Sequence, residues 1–239
     1  MLIYETKLYH RESLIIFDEI QLFPKARQFI KHLVADGRYD YIETGSLLYI
    51  KQNKKDILIP SEEEEIEMQP FDFEEFLWAN GDEFTIPMLK QFFDSKKPLG
   101  QALHKKIMNQ FRIYMVVGGM PQSILEYVES KDLEKVNKIK HNIINLYRND
   151  ISKYAKGYES KVLSIFDEIP AQLSKKAKKF KLSSITKEAR FREYEDAFVW
   201  LSEGRNINAC FKTTDPNIGL KMNSERVSLK CYMADTGLL

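Results

Sequence analysis

LIIFDEIQ, Leu14 to Gln21, decides how this chain is read. Four apolar residues run without alternation into two adjacent carboxylates, Asp18 and Glu19. Such a run predicts a strand covered on both faces, as in a parallel sheet flanked by helices. Carboxylates at the end of that strand suit phosphate chemistry. One can help hold a hydrated Mg²⁺, and the next can polarise a water for attack on a phosphate. This is the pattern of a Walker B segment in a nucleotide hydrolase. The plainer reading is an acidic strand end that caps the next helix. The chain carries its own control: SIFDEIP, Ser164 to Pro170, repeats IFDEI in a helical context and reads as structural.

Outward from this stretch, Pro24 to Asp36 reads as an amphipathic helix with Gly37 as its C-cap. YDYIETGS follows as a second strand ending in Thr44-Gly45-Ser46. Strand, helix and strand make one parallel crossover. Thr44, at the end of the neighbouring strand, is placed to touch a γ-phosphate or the attacking water, and Ser46 is the second candidate. Ile50 to Pro60 reads as an exposed loop, the acidic run Ser61 to Glu65 as solvated, and Ile66 to Met68 as a third strand. Phe71 to Ala79 reads as a helix with Asp72 at its N-cap, closed by the turn Asn80-Gly81-Asp82.

The pattern is then helical: Pro87 to Phe93, Leu99 to Val117, Gln122 to Val128 and Leu133 to Asn149, broken tightly at Gly118-Gly119-Met120-Pro121. Arg148, at that helix end, can reach a nucleotide held next door or sit in a surface salt bridge. Ser160 to Phe180 again reads as helix, and β-like runs follow around FKTTDPNIG and VSLKCYMADTGLL. Helices followed by a hairpin give the layout of a winged helix. Lys175, Lys176, Lys178, Lys179 and Lys181 lie beside it, where they can neutralise DNA phosphates or form a solvated face.

A P-loop, G-x-x-x-x-G-K-[ST], cradles phosphates with backbone N–H groups. No glycine here is followed by Lys-Ser or Lys-Thr, and only thirteen residues precede Leu14. The sheet is therefore expected to lack its phosphate-binding strand, and the chain to be an internal piece of a longer protein. Composition adds limits. Of 239 residues, 44% are hydrophobic and 30% charged, enough for a core in a soluble chain. The net charge of +1 favours no class of partner. Cys210 and Cys231 fit neither a zinc motif nor a disulfide framework, and the histidines have no metal-ligand spacing. With no signal peptide and no apolar run near the ~18–20 residues of a membrane span, a cytoplasmic protein without membrane contact is expected.

Six landmarks recur in order: LIIFDEIQ (14–21), ETGSLL (43–48), MQPFDFEEFL (68–77), Y-x-x-x-GGMP (114–121), LYRNDI (146–151) and ADTGLL (234–239). In these the chain resembles a large prokaryotic family of AAA+ superfamily ATPases. Their C-terminal domain of unknown function combines a winged helix with a restriction-nuclease-like fold. The resemblance implies an α/β fold: a partial P-loop NTPase sheet of AAA+ type (1–85), an all-helical lid (86–157) and a winged helix truncated at its end (158–239). It implies Asp18 as the Mg²⁺-associated acid, Glu19 as the catalytic base and Thr44 as the sensor; Ser46 and Arg148 remain nucleotide-binding candidates from their positions in the sequence. ATP and Mg²⁺ are then cofactors of the parent protein, and the piece itself is expected to lack turnover. The alternative is a DNA-binding or protein-interaction module with the α/β part as scaffold. A remnant lacking its partner strands is expected to self-associate.

Overall fold

The computed structural model describes residues 6–45, 64–215, 217, 220 and 223–239. It is of mixed α/β class and divides into two compact units, Met1–Glu67 and Met68–Leu239.

In the first unit, β1 (Leu14–Phe17) and β2 (Asp40–Glu43) pair in parallel, with Leu14 opposite Asp40 and Phe17 opposite Glu43. The crossover between them is α1 (Pro24–Asp36), entered by a short 3-10 turn at Ile20–Leu22. Gly37 ends α1 in the left-handed conformation (φ +69°), and its N–H bonds the Val34 carbonyl at 3.1 Å. Ile20 and Ile30 are buried. The Arg27 Nε donates to Glu43 Oε2 at 3.0 Å and ties the helix to the end of β2.

Two expectations fail here. The unbroken apolar run of β1 predicts cover on both faces, yet Leu14 is 50% and Ile16 59% exposed. With two strands and one helix among the described residues, a single face is covered. Ile66 to Met68 is not a strand; both of its apolar ends are exposed, and no ladder partner lies beside it among the described residues.

The second unit is mostly helical. Its first layer contains α2 (Phe73–Ala79), α3 (Thr85–Asp94), α4 (Gln101–Val117), α5 (Pro121–Ser130) and α6 (Leu133–Tyr154). Asp72 caps α2 through a reciprocal capping box with Glu75, which satisfies two orphan N–H groups. Phe76, Val117, Ile124 and Val136 form a buried cluster, with Tyr114 and Tyr127 packed on Phe76. LYRNDI does not end a helix: α6 runs five residues beyond the predicted Asn149, to Tyr154. Ile151 extends the buried stripe of Val136 and Ile143, and that burial sustains the last turn.

The second layer is α7 (Glu159–Ser174), α8 (Phe191–Glu203) and an antiparallel hairpin of β3 (Ile207–Thr213) and β4 (Ser224–Met233). Val162, Ile165, Phe166 and Ile169, at helical spacing, are buried on α7, which packs on α8. The repeated IFDEI therefore sits inside a helix, as its context predicts. That helix stops at Ser174 rather than Phe180, so the lysines occupy an irregular segment and not a helical stripe. Between Leu173 and Phe180 the one apolar residue is Ala177, small and exposed, too little to hold further turns against the core, and closely spaced like charges oppose them.

Candidate functional site

The carboxyl ends of β1 and β2 bring Asp18, Glu19 and Thr44 together. The chain leaves β1 through Glu19 in the left-handed conformation (φ +53°), which costs a non-glycine residue roughly 1–2 kcal/mol. Thr44 holds that turn from three sides. Its N–H donates to the Phe17 carbonyl (2.9 Å), its carbonyl accepts from Ile20 N–H (3.0 Å), and its Oγ1 accepts from Glu19 N–H (3.2 Å). The Thr44 hydroxyl in turn donates to Asp18 Oδ1. One carboxylate oxygen of Asp18 is thus oriented, and both acids face solvent.

This arrangement fits a water-mediated contact to Mg²⁺, which keeps most of its waters and takes one or two carboxylates plus substrate phosphates. It supplies no more than that. Among the described residues no group of three or more His, Cys, Asp or Glu could hold a metal ion. The hydroxyl proton of Thr44 is already directed at Asp18, so a sensor's contact to a phosphate requires it to turn.

The other predicted residues lie elsewhere or outside view. Ser46 falls outside the described residues. Arg148 is on α6, where its Nε and Nη2 both donate to Asp167 Oδ1 at 3.0 and 2.8 Å. Of the lysines, Lys178 donates to the Leu173 carbonyl at the end of α7, and Lys175 lies 3.6 Å from Glu168. Lys176, Lys179 and Lys181 are exposed, with no side-chain ion pair among the described residues.

Sequence reasoning missed a buried polar node. Asp235, 3% exposed, accepts from Gly119 N–H and from Gly237 N–H (2.9 Å). Burial pushes its carboxyl above the ordinary range, opposed by those two N–H groups and by Lys140. Lys140 donates to the Val116 carbonyl at 2.8 Å and is itself held below its usual value by burial. The glycines are obligatory. A Cβ on Gly118 (φ +83°) meets the Asp235 carboxylate and stands 2.8 Å from Gly237 Cα; one on Gly237 stands 2.5 Å from the Val117 carbonyl. Phe71 N–H bonds the Gly119 carbonyl at 2.8 Å, so MQPF joins the same node. The available signal was two glycine-bearing landmarks, GGMP and ADTG, one of them next to an acid.

No helix among the described residues is long and apolar enough to cross a membrane. Residues 1–77 match an AAA domain. Residues 108–239, more than half of the chain, match the family described as Domain of unknown function (DUF8612). No curated protein matches the chain, and no solved structure does.

Proposed function

The chain belongs to the DUF8612 family, and from the AAA match of residues 1–77 we propose that this N-terminal part is the acid-bearing portion of an ATP-hydrolysing core. The observation that carries this is the parallel β1–α1–β2 crossover, whose strand ends join Asp18 to Thr44 beside Glu19. In this reading Asp18 holds Mg²⁺ through water, and the metal neutralises phosphate charge when bound. Glu19 takes the proton of the attacking water. Thr44 orients Asp18 and turns toward the γ-phosphate. Residues 86–157 form the lid, which carries Arg148 on its α6. The sequence holds no G-x-x-x-x-G-K-[ST], so the phosphate cradle comes from elsewhere and the chain as given turns over no ATP.

The test has two arms. Calorimetry of this chain with Mg²⁺-ATP should show no micromolar affinity; finding it refutes the missing cradle. The coding sequence upstream of Met1 should contain an in-frame P-loop. In the longer protein, Glu19→Gln should then lower hydrolysis about 100-fold or more while nucleotide still binds. Unchanged hydrolysis removes Glu19 from the chemistry.

A second reading is nucleic-acid binding by a winged helix at 158–239. The unpaired Lys176, Lys179 and Lys181, beside helices followed by a hairpin, favour it. Binding should fall steeply with salt, and Lys→Ala changes at these positions should weaken it and flatten the slope.

A further inference from the structure

A cavity of about 250 Å³ opens between the lysine segment, the start of α8 and the strand β4. Its apolar lining comes from Phe180, Phe191, Phe198, Val227 and Leu229, and Lys179 and Lys181 stand at its rim. The segment that forms the rim is fixed. Phe180 N–H donates to the Leu229 carbonyl at 2.9 Å, which lays it along β4. Phe180 meets Phe198 edge-on at 5.4 Å, and Phe191 stacks on Phe198 at 5.7 Å. One residue further on, Gln172, 1% exposed on α7, holds both backbone groups of Lys181, its Oε1 accepting the N–H and its Nε2 donating to the carbonyl, each at 3.3 Å. Phe180 is thus turned inward while Lys179 and Lys181, on either side of it, are exposed.

The volume is below the ~300–1,000 Å³ of sites for drug-sized ligands, so it suits a single ring. An aromatic and apolar recess with cations on its rim matches a polymer that offers one flat ring for each negative charge. Single-stranded nucleic acid does so. An acidic peptide offers its charges on short alkyl stems, and a duplex keeps its rings stacked unless it spends a few kcal/mol to flip one out.

We propose that this cavity takes one unpaired base of a single-stranded nucleic acid, while Lys176, Lys179 and Lys181 follow the adjoining phosphates. The proposal rests on the lysine segment as a phosphate contact and is independent of the ATPase reading.

Fluorescence anisotropy on the full chain separates the two claims. The probes are a labelled short oligo-dT, an abasic oligomer of equal length, a duplex and polyglutamate. Oligo-dT should bind about tenfold tighter than the abasic strand, the scale of one stacked base. Val227→Gln should abolish that preference and leave the salt dependence in place; Val227 is 67% exposed, so the core is undisturbed. Phe191→Leu, which keeps an apolar filler, should do the same. Steep salt dependence with equal affinity for the dT and abasic strands overturns the cavity and leaves the lysine contact standing. Equal binding of polyglutamate, or tighter binding of the duplex, also overturns it. If no nucleic acid binds at low salt, the lysine reading falls and this one with it.

Discussion

A single added methyl group probes the Asp235 node. Gly118→Ala drives a Cβ onto the Asp235 carboxylate at a φ of +83°, where L-residues are strained. Urea unfolding should show a loss of about 2–4 kcal/mol, from backbone strain and overpacking together. A change under about 0.5 kcal/mol, the scale of a neutral surface substitution, means the node is looser than the geometry shown. Asp235→Asn tests charge instead of space. Burial raises the Asp235 carboxyl, so the native state holds its proton more tightly than the unfolded chain does. This group's contribution to stability is therefore largest below the unfolded value of about 4. It declines as pH climbs from there through the raised native value. Melting temperature against pH should lose that decline in the Asn variant. At neutral pH the variant should also be weaker by about 1–3 kcal/mol, because one carbonyl oxygen replaces two acceptors and leaves a buried N–H unmet. GGMP and ADTGLL were each visible in the sequence. Their joining was not, because Gly119 and Asp235 stand 116 positions apart and nothing local to either names the other.

Between residues and the whole, elements were legible where burial has a period and illegible at their ends. Apolar spacing from Leu133 onward predicts a helix, yet the polar sequence points to an end five residues before the real one. LYRNDI looks polar, and only the packing of Ile151 keeps the helix going. At the lysines the difference runs the other way: the sequence predicts helix to Phe180, and the helix stops at Ser174, where the buried stripe ends. The segment that replaces the helix is held at Phe180, on β4, and at Lys181, by one buried side chain. Gln172 bonds the N–H and carbonyl of Lys181 and reaches Ser184 Oγ. Gln172→Leu keeps the volume and removes these bonds. It should cost about 1–3 kcal/mol, the scale of leaving buried polar groups unmet. Trypsin should also cut faster between Lys175 and Lys181 in the native protein. Unchanged digestion means the segment is held by Phe180 alone.

At the scale of the molecule, the α/β class and the parallel crossover were legible because a strand, a capped helix and a second strand follow one another with little between them. The extent of the sheet was not legible. Four apolar residues in a row record what a strand can bury, and they carry no information about which neighbour covers it. In the structure Ile16 sits opposite Ile42, and both are exposed on the face shared with Leu14. Apolar side chains clustered on one side of a two-stranded sheet are a surface that other chains can cover, and an open strand edge adds unpaired N–H and carbonyl groups to the attraction. The chain should therefore self-associate as its concentration rises, which light scattering on a sizing column detects. Threonine keeps the β-branched shape at these positions while removing apolar area, so Ile16→Thr with Ile42→Thr should shift the population toward monomer. Because both side chains are already half-exposed or close to it, the pair should lower the unfolding free energy by no more than about 1 kcal/mol. A wild-type chain that stays monomeric at high concentration removes this face as an association surface. A variant that associates as strongly as the wild type moves the contact to another part of the molecule.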